Sequence, residues 1–375
     1  MFRSPRCVDG AQGTRFIMFQ VAPLSREAVD RWPLSEAGLP TRVINSAKAA
    51  NVNTIGELRN WDDSKLLKLR SLGRVSLEQI HSFFKLCNSI EKSDQCFSSI
   101  RDVLNIFLDA HQLNVISLRY GFHQRDLKPS RNRMTLQDIG NQNNKTRERI
   151  RQVEETGKQR LKSRLASVCL EPFYRFFQDF IQARSGAITA EELGALRGHE
   201  AVDELNPSSI ALLLSDTHSE LIRLHHGFFS TLPLSVINQI ELKTQEILLD
   251  SNQPIGLDQL VANFSDHLTV PKQCDLRRAI SVVLDHLPNV GSTITDLYFL
   301  YDTSVHSLLV EIMQNVQKPV HYRTVTNLFN DRVKPRSRKG AGYILDVLNK
   351  NSHCVRAERG IYTLGISTDL PSQRT

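Results

Sequence analysis

Arg147, Glu148, Arg149, Arg151 and Gln152 fall within six consecutive positions and combine guanidinium forks, a carboxylate and a carboxamide. A guanidinium can donate two bonds to guanine O6 and N7, a carboxamide can pair with adenine, and a carboxylate can accept from the cytosine amino group. These groups read base edges only if a rigid element turns them one way. Wound as a helix at about 100° per residue, Ile150 and Val153 share one side, while Arg147, Glu148, Arg151 and Gln152 share the opposite arc. Arg149 falls at the flank, where a phosphate contact is the better fit.

The neighbouring residues can build that helix and brace it. Thr135 followed by Asp138 has the spacing of a capping box, and Leu136 and Ile139 supply an apolar face. Asn143-Asn144 suits a tight turn because Asn tolerates left-handed backbone angles. Thr146 can cap the next helix, with Glu148 in its positive first turn. The pattern predicts a helix-turn-helix from Thr135 to Leu165. Lys158, Arg160, Lys162 and Arg164 continue the charge as expected of phosphate contacts. Residues 112–165 carry 13 Lys and Arg against 5 Asp and Glu, so this block alone exceeds the whole chain's net charge of +7. The concentration of charge is the footprint of a phosphate-binding module.

Leu118-Arg119-Tyr120-Gly121, then Thr135-Leu136-Gln137-Asp138-Ile139-Gly140 and Thr146-Arg147-Glu148-Arg149-Ile150-Arg151-Gln152-Val153-Glu154, resemble region 4 of the sigma-70 family. The resemblance implies that the second helix reads an upstream promoter hexamer and that the preceding helix docks on RNA polymerase. By position it assigns base reading to Arg147, Glu148, Arg151 and Gln152, and anchoring to Arg149. Asn143 and Lys145 stand where the family carries apolar turn residues, which predicts a looser turn.

A second pattern occupies Leu34–Ile90. Leu39-Pro40-Thr41-Arg42 opens a helical stretch through Ala50, Asn51–Thr54 forms a turn into Ile55–Leu58, and Ser71-Leu72-Gly73-Arg74 breaks before another helix. A glycine between short helices lets a helix N-terminus approach a phosphate. Arg42 and Asn45, Asn53-Thr54-Ile55-Gly56-Glu57-Leu58 and Leu72-Gly73-Arg74-Val75-Ser76-Leu77 resemble the C-terminal domain of the RNA polymerase alpha subunit. That resemblance implies contact with A/T-rich DNA through Arg42, Asn45, Gly73 and Ser76. Val75 replaces a lysine usual in the family.

The expected fold is mainly α, with residues 1–31 a disordered leader (Met18 being a candidate start), 32–92 the alpha-like domain and 93–168 the sigma-like helix-turn-helix. A weak repeat follows: Ile188, Ile255 and Val320 open helix-like stretches spaced 67 and 65 residues apart. Each leads to an apolar helix and then a β-prone hairpin. Helix, helix, hairpin is the order of a winged helix, expected at 183–232, 250–302 and 315–367, with 368–375 a tail. In the third copy, Lys334–Gly340 is a basic loop suited to phosphate. Ser93–Phe107 reads as a connector and Gly121–Arg133 as a loop. Phe173, Phe176, Phe177 and Phe180 form a stripe at helical spacing, for a core or a partner helix.

Catalytic and membrane classes find no support. There is no run of about 18 apolar residues, no phosphate-binding loop, no His-Glu-x-x-His and no Rossmann fingerprint. The six cysteines lack metal or disulfide spacing, and Glu154-Glu155 and Glu191-Glu192 are expected on exposed helix faces. The sequence therefore implies a cytoplasmic non-enzyme without cofactor or metal. Its expected partners are double-stranded DNA and RNA polymerase core, with no membrane and no small-molecule substrate. The reading is a transcription regulator or auxiliary sigma-like factor. The alternative is a polymerase-binding adaptor or decoy with little DNA affinity.

Overall fold

The computed structural model describes residues 6–9, 15–92, 95–123, 133–218, 220–251, 253–264, 275–301 and 304–365. Most of the loop expected at Gly121–Arg133 lies outside them, as do Cys274 and the side chain of Cys7. The chain divides into two compact units: residues 1–181 with 189–231, and residues 182–188 with 232–375.

The first unit opens on strands β1 (Arg6–Asp9) and β2 (Arg15–Gln20), which pair antiparallel. Helices α1 (Arg26–Asp30), α2 (Thr41–Ala49), α3 (Ile55–Arg59), α4 (Asp63–Leu67) and α5 (Arg74–Glu91) follow. Local chemistry sets their starts: Thr54 and Glu57 form a capping box on α3, and Asp62 caps α4 through the Lys65 amide. Val43, Ala47, Ile55, Leu58, Leu66, Ile80 and Phe83 are buried. Arg59 crosses between Asp30 at 2.9 Å and Glu91 at 2.8 Å, tying α1, α3 and α5 together.

The disordered leader expected at 1–31 is corrected here over its described part. β2 pairs with β3 (Cys96–Phe97), placing Phe19 opposite Phe97. Phe19 is 2% exposed and stacks on Phe173 with ring centroids 4.6 Å apart. Phe19 is thus a partner of the downstream aromatic stripe. Each segment read alone lacks the other half of that contact.

Helices α6 (Ile100–Phe107), α7 (Ala110–Tyr120), α8 (Leu136–Asn143), α9 (Arg147–Leu161) and α10 (Arg164–Gln182) continue the unit. The boundary expected at 168 falls inside α10 and is displaced, because Leu165, Cys169, Phe173 and Phe177 form one unbroken buried stripe. After β4 (Ala187–Thr189) come α11 (Ala190–Leu193) and α12 (Pro207–Thr217), then the hairpin of β5 (Arg223–His225) and β6 (Phe228–Ser230). The helix, helix, hairpin order expected for the first repeat is present, opened by a short strand.

The second unit carries that order twice more. After α13 (Leu234–Ser251) come β7 (Ile255–Gly256), α14 (Leu257–Phe264), α15 (Leu276–Leu284), β8 (Val290–Ser292) and β9 (Leu297–Leu300), in sheet order β7-β9-β8. After α16 (Ser304–Val316) come β10 (Val320–His321), α17 (Tyr322–Arg332), α18 (Ala341–Lys350), β11 (Cys354–Glu358) and β12 (Ile361–Leu364), in order β10-β12-β11. The two copies join where Lys334 N donates to Ser292 O at 2.9 Å and Ile294 N to Arg332 O at 2.9 Å.

The cations of the basic loop expected to face phosphate have partners within the protein, although Arg336 and Arg338 stay exposed. Lys334 pairs with Asp296 at 2.8 Å, Arg336 donates to Leu284 O at 3.0 Å, and Lys339 Nζ lies 3.4 Å from the Tyr301 ring centroid. Arg338 also donates to the Asn330 carbonyl at 3.3 Å. Three cations clustered in sequence, Lys334, Arg336 and Lys339, are here clasps between copies.

Gly140 sets the angle of the turn after α8. A Cβ there would lie 2.7 Å from the backbone oxygen of Lys145, closer than real carbons approach. Helix propensity alone favours alanine by about 1 kcal/mol, but the backbone must shift to admit it. Gly140→Ala should destabilise the first unit by about 1–3 kcal/mol, a typical overpacking cost, lowering the urea midpoint. An unchanged midpoint would mean the turn has slack.

Candidate nucleic-acid interface

The interface begins with an apolar seam. Val115 of α7, Ile139 of α8, and Ile150 and Val153 of α9 form one buried cluster, with Leu118, Met134 and Leu136 packed against it. This seam fixes the rotation of α9 about its axis. Gly157 deepens the contact: a Cβ there would lie 2.8 Å from Ile116 Cδ1, so α9 can approach α7 closely. With Ile150 and Val153 turned inward, Arg147, Glu148, Arg149, Arg151 and Gln152 are all exposed.

The caps match their spacing. Thr135 accepts from the Asp138 amide while Asp138 reaches back, and Thr146 accepts from the Arg149 amide. Asn144 takes the left-handed conformation, φ 52°. The loose turn expected from Asn143 and Lys145 is corrected by hydrogen bonding. Asn143 Nδ2 donates to Ile139 O at 2.8 Å, and Lys145 N donates to Gly140 O at 2.9 Å. The polar turn closes through its own bonds where the family uses apolar contacts.

The exposed arc is internally ordered. Arg151 donates from Nε and Nη2 to the two Glu148 oxygens at 2.9 and 2.8 Å, and Gln152 donates to Glu148 at 3.4 Å. The Arg151 guanidinium bonded to Glu148 holds that carboxyl below the usual carboxylate range. Arg149 donates to Gln152 Oε1 at 3.4 Å. The fork is therefore held against Glu148 before any ligand arrives, and contact with a base requires exchanging the Glu148 bonds.

Behind the arc the charges serve the fold. Lys158 pairs with Glu154 at 2.8 Å, Arg119 lies 3.5 Å from Glu154, and Tyr120 donates to Asp216 at 2.6 Å. Burial raises the Tyr120 phenol above its ordinary pKa, and the Asp216 charge adds to the effect. Arg160 donates to Gln112 at 2.7 Å, and Arg164 pairs with Glu36 at 2.6 Å. Of the four cations expected to follow the phosphates, three thus have partners within the protein, Arg164 while remaining exposed, and Lys162 is exposed. Glu154, expected on an open face, is 8% exposed. Spacing along α9 could not show its burial, because one of its partners, Arg119 at 3.5 Å, comes from α7.

In the N-terminal helices, Arg42 and Asn45 lie exposed on α2, and Gly73 precedes α5 with open space around it. Ser76 differs from these three: it is 6% exposed, on the inward side of the first turn of α5. Val75 beside it is 69% exposed. The structure thus groups Arg42, Asn45 and Gly73 as accessible positions and sets Ser76 apart as a packing residue.

Residues 25–85 match the family model for the C-terminal domain of the bacterial RNA polymerase alpha subunit. Residues 108–163 match the model for sigma-70 region 4. Curated proteins similar to this one include the DNA-directed RNA polymerase subunit alpha of Leuconostoc mesenteroides, 36% identical over 64 residues, covering 17% of this chain and 20% of that protein. The same subunit of Oceanobacillus iheyensis is 36% identical over 72 residues, covering 19% and 23%. That of Carboxydothermus hydrogenoformans is 33% identical over 66 residues, covering 18% and 21%. The chain spans about a fifth of the length of the curated relatives it matches. No solved structure matches it. This chain therefore joins an RNA polymerase alpha C-terminal-domain-like module and a sigma-70 region 4-like helix-turn-helix.

Proposed function

We propose that the protein is a DNA-binding transcription regulator or auxiliary sigma-like factor that acts with bacterial RNA polymerase at promoters. One observation carries this reading: Arg147, Glu148, Arg151 and Gln152 are presented together, opposite the buried Ile150 and Val153, within the stretch that matches sigma-70 region 4. α9 would lie in a major groove with these groups against base edges. Arg149 and Lys162 would contact phosphate, and Arg42, Asn45 and Gly73 would approach DNA on the alpha-like side.

The fold and charge support a non-catalytic protein. Among the described residues no helix is long and apolar enough to cross a membrane, and the proposed place of action is the cytoplasm. The three strand, helix, helix, hairpin copies are proposed to be winged-helix units. With most cations of the third copy's basic loop bonded to the second copy, those of the second unit serve better as protein contacts than as groove readers.

A second reading is favoured by a specific feature. Val75 is exposed where the family carries lysine, and much of the cation set behind the arc is neutralised. These features suit a polymerase-binding adaptor or decoy with little DNA affinity. The salt dependence of duplex binding separates the two, since each phosphate contact steepens the slope.

Selection of duplexes from a random pool by the full-length protein should yield a defined hexamer, an A/T-rich tract, or both. A pool that stays random at low salt would leave only the adaptor. On the selected site, Arg151→Ala should cost about 1–3 kcal/mol at one base pair and relax preference there. Lys162→Ala should weaken all sequences alike and lower the salt slope by about one. Equal loss on every sequence from Arg151→Ala would place that residue on the backbone instead.

A further inference from the structure

We infer that the alpha-like and sigma-like modules form one docked body that reads a composite DNA site of fixed spacing, an inference that rests on the DNA-binding reading above. Two such modules on a loose tether would accept many separations between their target elements. Here the contacts between them leave no tether. β2, just before the alpha-like helices, pairs with β3, just after them, and Val21 N donates to Gln95 O at 3.0 Å. Phe19 stacks on Phe173 and meets Phe176 edge-on at 5.8 Å, both on the helix that follows α9.

The closest contact is at Gly38. It has φ +92°, and a Cβ there would lie 2.4 Å from Ser163 Oγ. The alpha-like backbone is thus pressed against the residue that ends the sigma-like module. Glu36, two positions earlier, pairs with Arg164 at 2.6 Å. Cys87 of α5 and Cys169 of α10 are both fully buried, and each thiol is pushed up to about 12 by burial. The Gly38–Ser163 approach and the Glu36–Arg164 pair fix this relation directly, and the strand pairing and Phe19 packing brace the flanking segments.

This docking limits how far apart the two sets of readers can be. Arg42 lies at most about 14 Å of backbone from Gly38, and Arg151 lies roughly 18 Å from Ser163 at 1.5 Å per helical residue. With Gly38 against Ser163, the Cα atoms of the two arginines are at most roughly 35–40 Å apart, close to one turn of B-DNA at about 34–36 Å. Both sets are exposed, so neither is consumed by the docking. The composite site should therefore place an A/T tract and the hexamer within about one turn.

The test uses the full-length protein and duplexes carrying the selected hexamer, with an A/T tract moved away from it on either side in single-base-pair steps through about two turns. Affinity and footprint are read for each. The docked body predicts one optimal spacing within the first turn, protection of both elements there, and a loss of roughly tenfold or more after a half-turn insertion as the second contact is broken. It also predicts no recovery at the second turn, which lies beyond reach. Protection of both elements at every spacing would overturn the inference and restore a tether. Protection of the hexamer alone at every spacing would overturn it too, while leaving DNA reading intact. Protection of neither element would instead remove the DNA-binding function on which the inference stands.

Discussion

The structure depends on the seam where Val115, Ile139, Ile150 and Val153 exclude water together. Burying these side chains decides which way α9 faces, and every polar group on that helix inherits its role from the decision. A rotation of one residue, about 100°, would bury an arginine and expose an isoleucine. The seam therefore specifies the interface more strictly than any single exposed residue does. The glycines sharpen it: Gly140 lets the turn close on Lys145, and Gly157 lets α9 sit against Ile116.

Charge then divides into two populations. Arg147, Arg149 and Arg151 are presented outward, whereas Lys158, Arg160 and Arg164 are drawn into contacts with Glu154, Gln112 and Glu36. The net basicity of the block is the same either way, so composition alone overstated the surface available to phosphate. What distinguishes the populations is tertiary. Asp216 arrives from α12 and Glu36 from the alpha-like helices, far away in sequence.

This explains what could be read from the sequence. The Thr135 capping box, the Thr146 cap, the left-handed Asn144 and the inward Ile150 and Val153 were legible because each rests on residues a few positions apart. The alternation of short helices around Gly73 was legible for the same reason. The role of the segment around Phe19 was not, since its partners Phe97 and Phe173 are distant in sequence. The inward commitment of Lys334 and Lys339 escaped the sequence too, because the second and third repeats had to be packed before their clasps existed. Ser76 resembled a DNA-facing serine by position and proved to be buried by the turn that carries it.

The central claim is that α9 presents guanidinium and carboxamide groups to base edges in a major groove. Dimethyl sulfate probing of the selected duplex bound to the full-length protein tests it directly, because guanine N7 is reached only from that groove. The account predicts that guanine N7 within the hexamer is shielded by the wild-type protein. Tight binding that leaves every guanine N7 as reactive as in free DNA would contradict it.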